Sequence, residues 1–461
     1  MQGFLLAFVG EVFQVAVAKA QSSYSTGMVV NLYRDETMNL LIGALLLNPE
    51  DRISEGAKVK GISRLLTIVV GDFSIGSMLD ATGNMLLSTS VYTDMFRWVV
   101  ESPAPGIIER QSVFEPLQTG IIAIDALIPI GRGQRELVVG DRQTGKTSIG
   151  VDTMLNQKFE KVLCVYVPIG QKASSILEVF LALVRRDSAY YLSLLIASAS
   201  SSAVCQFLCT YCGAALTEFC MLIRELPTFI MYDDLSKHAV AYREIYLLLR
   251  RPPGREAYPG EVFFIHSRLL ERSAKLSANL GGGSCTSYPV IETLGGDVSA
   301  YITTNLISIT DGQIFLSIDL FLSGIRPAVD VGLSVSRVGS SAQWNGMKLV
   351  AGSFKLELAQ FVELQAFSQF SSDLGEETKE RLRRGRVLVE MLKQFCGSPM
   401  NLMGQVGILS LANQNLLSTL DLSKVRSFVE RYTLIPFWVF LFVSPRIVGQ
   451  GILISLGAPV A

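Results

Sequence analysis

The rhythm of hydrophobic positions changes twice along the chain. Over residues 1–70, apolar runs of strand length (12–17, 40–47 and 65–70) are separated by turns, with Asn48-Pro49-Glu50-Asp51 as the plainest turn signal. That spacing predicts a small β-barrel. Over 71–345, apolar runs alternate with helix-length segments. Expected strands are 137–139, 162–167, 192–196, 228–232 and 313–316, and Pro252-Pro253-Gly254 and Gly281-Gly282-Gly283 read as loops. Such alternation predicts a mostly parallel sheet with helices on both faces. Over 346–461 the period becomes helical. Residues 356–370 and 376–395 lack proline and are apolar at helical spacing, the second with Gly385 inside it at a modest cost. The expected fold is therefore multidomain α/β: an N-terminal β-barrel domain (1–70), a central α/β domain (71–345) and a C-terminal helical domain (346–461).

Composition narrows the function classes. Lys and Arg number 40 against 41 Asp and Glu, so there is no electrostatic case for wrapping nucleic acid. Charged residues are 18% and apolar ones 49%, so much surface must be buried, partner chains included. The uncharged stretch 188–217 is rich in Ser and Thr and reads as buried core. The apolar run 434–443 contains Pro436 and is followed by Ser444-Pro445-Arg446, too short for a span of about 20 residues. The first residues have no basic side chain before Lys19, unlike a transit or signal peptide. An organellar protein with this start is expected to be made inside the organelle, or numbered after processing. Seven scattered cysteines suggest free thiols in a reducing compartment. Cys205, Cys209 and Cys212 share one helix face and read as buried core rather than cluster ligands. His238 and His266 are far apart, with no zinc spacing.

The clearest chemistry lies at Gly140-Asp141-Arg142-Gln143-Thr144-Gly145-Lys146-Thr147, directly after the apolar run 137–139. The pattern is G-x-x-x-x-G-K-[ST], the phosphate-binding loop. Its glycines let backbone N–H groups point at phosphate oxygens. Lys146 reaches the β and γ phosphates, and the Thr147 hydroxyl can ligate Mg²⁺. A helix expected over 148–156 aims its positive end at the same anion. The expected ligands are ATP or ADP with Mg²⁺. Another apolar strand, 228–232, ends in Asp233 and Asp234. Beside a phosphate loop the first of these, Asp233, is expected to hold Mg²⁺, directly or through water; without one, a helix N-cap is the commoner role. Arg337 follows an alternating run, where an arginine is ordinarily a solvated charge.

GRGQRELVVGDRQTGKT, VYVPIGQKASS, YDDLSKHAVAYRE, RRPPGREAYPGEVFFIHSRLLERSAKL and GIRPAVDVGLSVSRVGSSAQ together resemble the alpha subunit of F-type ATP synthase, from about Glu101 to Ser398. FLSIDLF and VAGSFKLELAQFVELQAFSQFSSDL resemble the chloroplast and cyanobacterial branch more than the mitochondrial one. The resemblance implies an alternating ring of three alpha and three beta subunits around a gamma central stalk, with delta-type and peripheral-stalk subunits. It implies membrane association only through the proton-channel sector, at the stromal side of the thylakoid; the mitochondrial inner membrane and the bacterial plasma membrane are the alternatives. Alpha's own pocket then binds Mg-nucleotide without turning it over, so the chain alone is essentially non-catalytic. Gln171 stands where the catalytic subunit carries a glutamate, and an amide has almost no basicity at pH 7. Arg326, Pro327 and Gln394 match positions near alpha's adenine, and Arg337 matches an arginine finger toward beta. Cys396 replaces a usual second glutamine, 400–405 lacks an acidic pair, and the tail after Thr433 is apolar and short. A ring-shaped nucleic-acid motor of the same core fold is the main alternative; it should show a basic excess. A catalytic ATPase of secretion or flagellar type is another, and Gln171 speaks against it.

Overall fold

The computed structural model describes residues 9–16, 24–34, 40–47, 53–87, 95–368, 375–414, 417 and 422–433. The expected turn at 48–51 and the tail 434–461 lie outside these residues. The chain divides into two compact units: Met1–Glu109, Leu163–Arg272 and Asn279–Cys285 form one; Arg110–Val162, Ser273–Ala278 and Thr286–Ala461 form the other.

The N-terminal region is an antiparallel, barrel-like sheet. Its strands are β1 (Glu11–Ala16), β2 (Tyr24–Arg34), β3 (Leu40–Leu46) and β4 (Val59–Leu65), in the order β3-β2-β1-β4. Phe13, Val15, Val29 and Ile42 alternate inward to form its core. Gly27 is required by packing, since a Cβ there would stand 2.2 Å from the Phe13 ring and 2.8 Å from Leu45 O. β5 (Thr67–Val70) pairs antiparallel with β8 (Phe96–Val99). Between them, β6 (Met78–Asp80) and β7 (Met85–Leu87) form a hairpin.

The mostly parallel central sheet follows. In chain order its further elements are α1 (Ile122–Leu127), β9 (Glu136–Gly140), α2 (Lys146–Asn156), β10 (Leu163–Gln171), α3 (Ala173–Val184), β11 (Leu192–Ser198), α4 (Ala203–Leu222), β12 (Pro227–Asp233), α5 (Leu235–Leu248) and α6 (Val262–Leu270). Then come β13 (Ser284–Glu292), α7 (Tyr301–Ile309), β14 (Gly312–Leu316), α8 (Ile318–Leu322) and β15 (Val329–Ser336). In the first unit the order runs β12-β10-β11-β6-β7, with β10 parallel to both β11 and β12, and β6 parallel to β11. In the second it runs β15-β14-β9-β13. There β9 is parallel to β13 and β14, and β15 is antiparallel on β14. Each strand expected in this sheet is present; β10 begins one residue later than expected and runs four further, and the others extend by one or two residues at one or both ends. Among the described residues, α4 is the one helix long and apolar enough to cross a membrane, and 83% of its 18-residue apolar window is buried in the protein. Cys209 and Cys212 on it are buried and Cys205 is half-buried, all free thiols. Burial pushes the Cys212 thiol up to about 12, which keeps it protonated and inert.

The C-terminal region is helical: α9 (Asn345–Ala351), α10 (Phe354–Ser368), α11 (Glu376–Met391), α12 (Leu402–Asn413) and α13 (Leu422–Thr433). Gly385 has a packing reason, because a Cβ there would lie 2.1 Å from the Phe361 ring. Its absence lets α10 and α11 meet closely, and Arg384 then reaches Glu357 at 3.0 Å. α11 stops at Met391, short of the expected 395. The backbone N–H of Gln394 leaves the helical ladder to donate to Arg326 O at 2.8 Å.

Candidate nucleotide-binding site

The phosphate loop sits where a strand gives way to a helix. β9 is buried on both faces, which its Leu-Val-Val run requires, and delivers Gly140 into the turn. Gly140 accommodates a neighbour rather than a dihedral: a Cβ would meet Leu316 Cβ and Thr144 Oγ1, each at 2.9 Å. Gly145 does the reverse. It has φ 93° and open space where a Cβ would be, and it caps α2. The helix starts at Lys146, two residues earlier than expected, so Lys146 and Thr147 form its first turn. Gln143 is also left-handed, at φ 61°.

Local hydrogen bonds shape the turn. Thr144 Oγ1 donates to Asp141 O at 2.8 Å. Lys146 Nζ donates to Gly140 O at 2.8 Å and Asp141 O at 2.5 Å, so the ammonium lies across the loop's mouth. The Asp141 carboxylate points away from the loop and accepts from Thr293 Oγ1 at 2.6 Å and Gly296 N at 3.0 Å. Exposed Arg142 pairs with Glu292, at the end of the neighbouring β13. Of the loop's polar side chains, Lys146 and Thr147 are thus the ones suited to an anion and its cation; Asp141 and Arg142 brace the turn.

In the other unit, β10 and β12 run in register and bring Gln171 and Asp233 to the same end. Gln171 Nε2 donates to Asp233 O at 3.2 Å. The Asp233 carboxylate is buried and accepts from Tyr166 OH at 3.2 Å. Burial, then the Asp233 charge, push the Tyr166 hydroxyl well above its ordinary range, so it stays a neutral donor. The helix-capping role falls to Asp234, which accepts from Lys237 N at 2.7 Å to open α5.

Arg326, Pro327 and Gln394 come together in the second unit. Besides the backbone bond to Arg326, Gln394 Nε2 donates to Gly120 O at 2.8 Å and Ser398 O at 2.6 Å. Its Oε1 accepts from Ile122 N at 3.3 Å. The exposed Arg326 guanidinium lies 4.2 Å from the Phe321 ring centre.

Arg337 is elsewhere. Ser336 pairs with Gly312, and Gly312 with Glu136, so Arg337 leaves the sheet at the end where β9 begins. The phosphate loop leaves at the other end, about 13 Å away along β9 at ~3.3 Å per residue. The backbone there is fixed: Arg337 N donates to Asp311 O at 2.9 Å, and the Asp311 carboxylate takes Arg135 Nε and Nη2 at 2.9 and 2.8 Å. Gln134 and Glu136, missed in the sequence, complete this buried support. Gln134 Nε2 donates to Glu136 Oε2 at 2.7 Å and Ser336 Oγ at 3.2 Å. Burial, then the Asp311 charge, push the Glu136 carboxyl well above the usual range. Their flanking position in an apolar strand gave no sign of this role.

A parallel sheet with a phosphate loop at a strand's carboxyl end defines a phosphate-loop nucleotide-binding protein. Residues 120–336 match the ATP synthase alpha/beta family, nucleotide-binding domain, and residues 343–435 match the ATP synthase alpha/beta chain, C terminal domain. The chain belongs to the ATP synthase alpha/beta family. It is a nucleotide-binding subunit of F1 alpha/beta type, a member of an ATPase complex assembled with other subunits.

Proposed function

We propose that the chain is the alpha subunit of a proton-driven F-type ATP synthase. It binds Mg-ATP or Mg-ADP at its own phosphate loop without turnover and lends Arg337 to the catalytic site of a neighbouring beta subunit. The observation that carries this reading is Gln171. Its amide, donating to Asp233 O, stands where the resemblance puts a catalytic glutamate. An amide cannot take a proton from water at pH 7, so the site binds and does not hydrolyse. The position of Arg337 supports the second half. It is exposed, at the opposite end of β9 from its own loop, and makes no side-chain hydrogen bond or ion pair among the described residues. A guanidinium so placed suits phosphate held by another chain.

Thr147 and Asp233 suit Mg²⁺ chemically, since both offer oxygen, and a phosphate-bound Mg²⁺ needs few protein ligands beside its waters. In this reading Thr147 binds the ion directly and Asp233 through water. The ion neutralises phosphate charge; Lys146 and the loop N–H groups orient the phosphates, while Arg326, Pro327 and Gln394 flank the base. Domains over 1–70, 71–345 and 346–461, a ring with beta around gamma, delta-type and peripheral-stalk partners, and a thylakoid location complete the proposal.

The purified chain should bind Mg-ATP, lose that binding in Lys146→Ala, and show no steady-state hydrolysis. In a reconstituted alpha–beta complex, Arg337→Lys should slow turnover by as much as about 10³-fold, because the charge remains but the planar fork is lost. Hydrolysis by the chain alone, abolished in Lys146→Ala, would overturn the non-catalytic assignment. Near-normal turnover of an intact Arg337→Lys complex would overturn the role of Arg337.

A further inference from the structure

Helix α2 begins at the phosphate loop, yet its later residues hold parts of the chain far away in sequence. Asp152 is 6% exposed, and its Oδ1 accepts from the backbone N of Gly397 at 2.6 Å. Gly397 has φ 75°, a left-handed conformation that favours glycine. Asn156 Nδ2 and Gln157 Nε2, at the helix's end, both donate to Gln118 O, at 2.8 and 2.7 Å. The turn after Gln118 in turn holds the segment containing Gly397. Gly120 O accepts from Gln394 Nε2 and from Met400 N, each at 2.8 Å, and Ile122 N donates to Gln394 Oε1.

One helix therefore carries Lys146 and Thr147 at its start and fixes the Gln394–Ser398 segment from its middle and end. Lys146 and Asp152 are six residues apart, about 9 Å along a helix. The Asp152 bond is the direct link, and a carboxylate accepting from a backbone N–H is a charge-assisted hydrogen bond. The loop has a second, side-chain anchor: the Arg426 guanidinium lies 4.3 Å from the Phe395 ring centre. That contact ties the loop to α13 and does not relate it to the phosphate loop.

We infer that Asp152 is a positioning residue for base recognition. It sets the base-side segment at a fixed offset from the phosphate loop, so that the site holds a nucleoside triphosphate better than bare triphosphate. The inference rests on the nucleotide site proposed above.

The test is calorimetric titration of the full chain with Mg-ATP and, separately, with magnesium tripolyphosphate, which has no base. Asp152→Ala should raise the Kd for Mg-ATP about tenfold and leave that for tripolyphosphate within about twofold, the size expected for loss of one charge-assisted hydrogen bond felt only at the base end. Asp152→Asn keeps an oxygen acceptor and should restore most of the affinity. Equal weakening of both ligands would show that Asp152 only braces α2, and no change in the Mg-ATP Kd would show that it positions nothing; either overturns the inference. Should Asp152→Ala not fold, Asp152→Asn carries the test. Its loss should be about threefold and confined to Mg-ATP, since a neutral acceptor is weaker than a carboxylate, and its absence overturns the inference. Lys146→Ala distinguishes the underlying reading: if it leaves both Kd values unchanged, the ligands bind elsewhere and the nucleotide site itself is wrong.

Discussion

Acid should unlock the packing between α5 and α6 by charging a histidine pair. His238 on α5 and His266 on α6 are fully buried, with His238 Nδ1 3.2 Å from His266 Nε2. The His238 ring also stacks on Phe207, with centroids 5.2 Å apart and planes 15° apart. Burial lowers His266 from 6.5 to about 4. Burial, then the charge of His266, hold His238 well below the ordinary range. Both rings are thus neutral in the fold and titrate normally when it opens. Between pH 6.5 and about 4 the unfolded state binds more protons, so stability falls as pH falls through that window and is level above it. For His266 alone, going from pH 7.5 to 4.5 removes about 2.5 kcal/mol, at 1.36 kcal/mol per pH unit. That is a large share of the 5–15 kcal/mol typical of a domain. Amide hydrogen exchange in α5 and α6, corrected for intrinsic rates, reads it locally. His266→Gln removes the titrating group, and acidic side chains elsewhere affect both proteins alike. The wild type should lose about 2.5 kcal/mol more protection than the variant across this range. Equal acid sensitivity in the two would refute the reasoning.

Two further outcomes follow from buried charge and from the loop's backbone. Arg272, just past the C-terminal end of α6, makes a bidentate pair with Glu218 and also donates to Val100 O and Ser102 Oγ at 2.7 and 2.9 Å. Arg272→Met should cost about 3–5 kcal/mol by stranding the carboxylate, while Arg272→Met with Glu218→Leu should recover most of it, as read by urea unfolding of the three proteins. Gly145→Ala meets no steric obstacle, so its cost is conformational alone: about 1–2 kcal/mol of folding stability for an L-residue held left-handed, read by urea unfolding against the wild type.

The parts legible in the sequence were those in which neighbours along the chain decide the outcome. β9 and the phosphate loop are such a case: an apolar run, two glycines and a lysine fix strand, turn and helix start together. The buried parallel strands announced themselves as short apolar runs for the same reason. β13 did not. Its sequence, SCTSYPVIE, is as polar as a loop, yet nearly all of it is buried. Thr286 is the example: its hydroxyl accepts from Gly133 N at 2.9 Å, a partner 153 residues away that no local window contains. His238 with His266, and Glu218 with Arg272, were invisible on the same ground, since each pair exists only once two helices are packed.

Gln394 shows how this difference bears on function. Helical periodicity ran through it, and resemblance alone placed it by the adenine. In the fold it has left α11, and its amide is committed on both sides: Nε2 to two carbonyls, Oε1 to the Ile122 N–H. A side chain already satisfied by backbone has little hydrogen-bonding capacity left for a ligand, so in the proposed site its contribution to base binding would be shape. It joins α1, the Arg326 turn and the 394–398 loop into one surface. Replacing it by alanine would release the Gly120–Ile122 turn and Ser398 O, while the backbone bond from residue 394 to Arg326 O would remain; in the proposed site the exposed Arg326, stacked over Phe321, would offer its guanidinium donors to the ligand. On the proposed reading, the division of labour at the base end would therefore be a fixed frame from Gln394 and Asp152, with polar contact from Arg326.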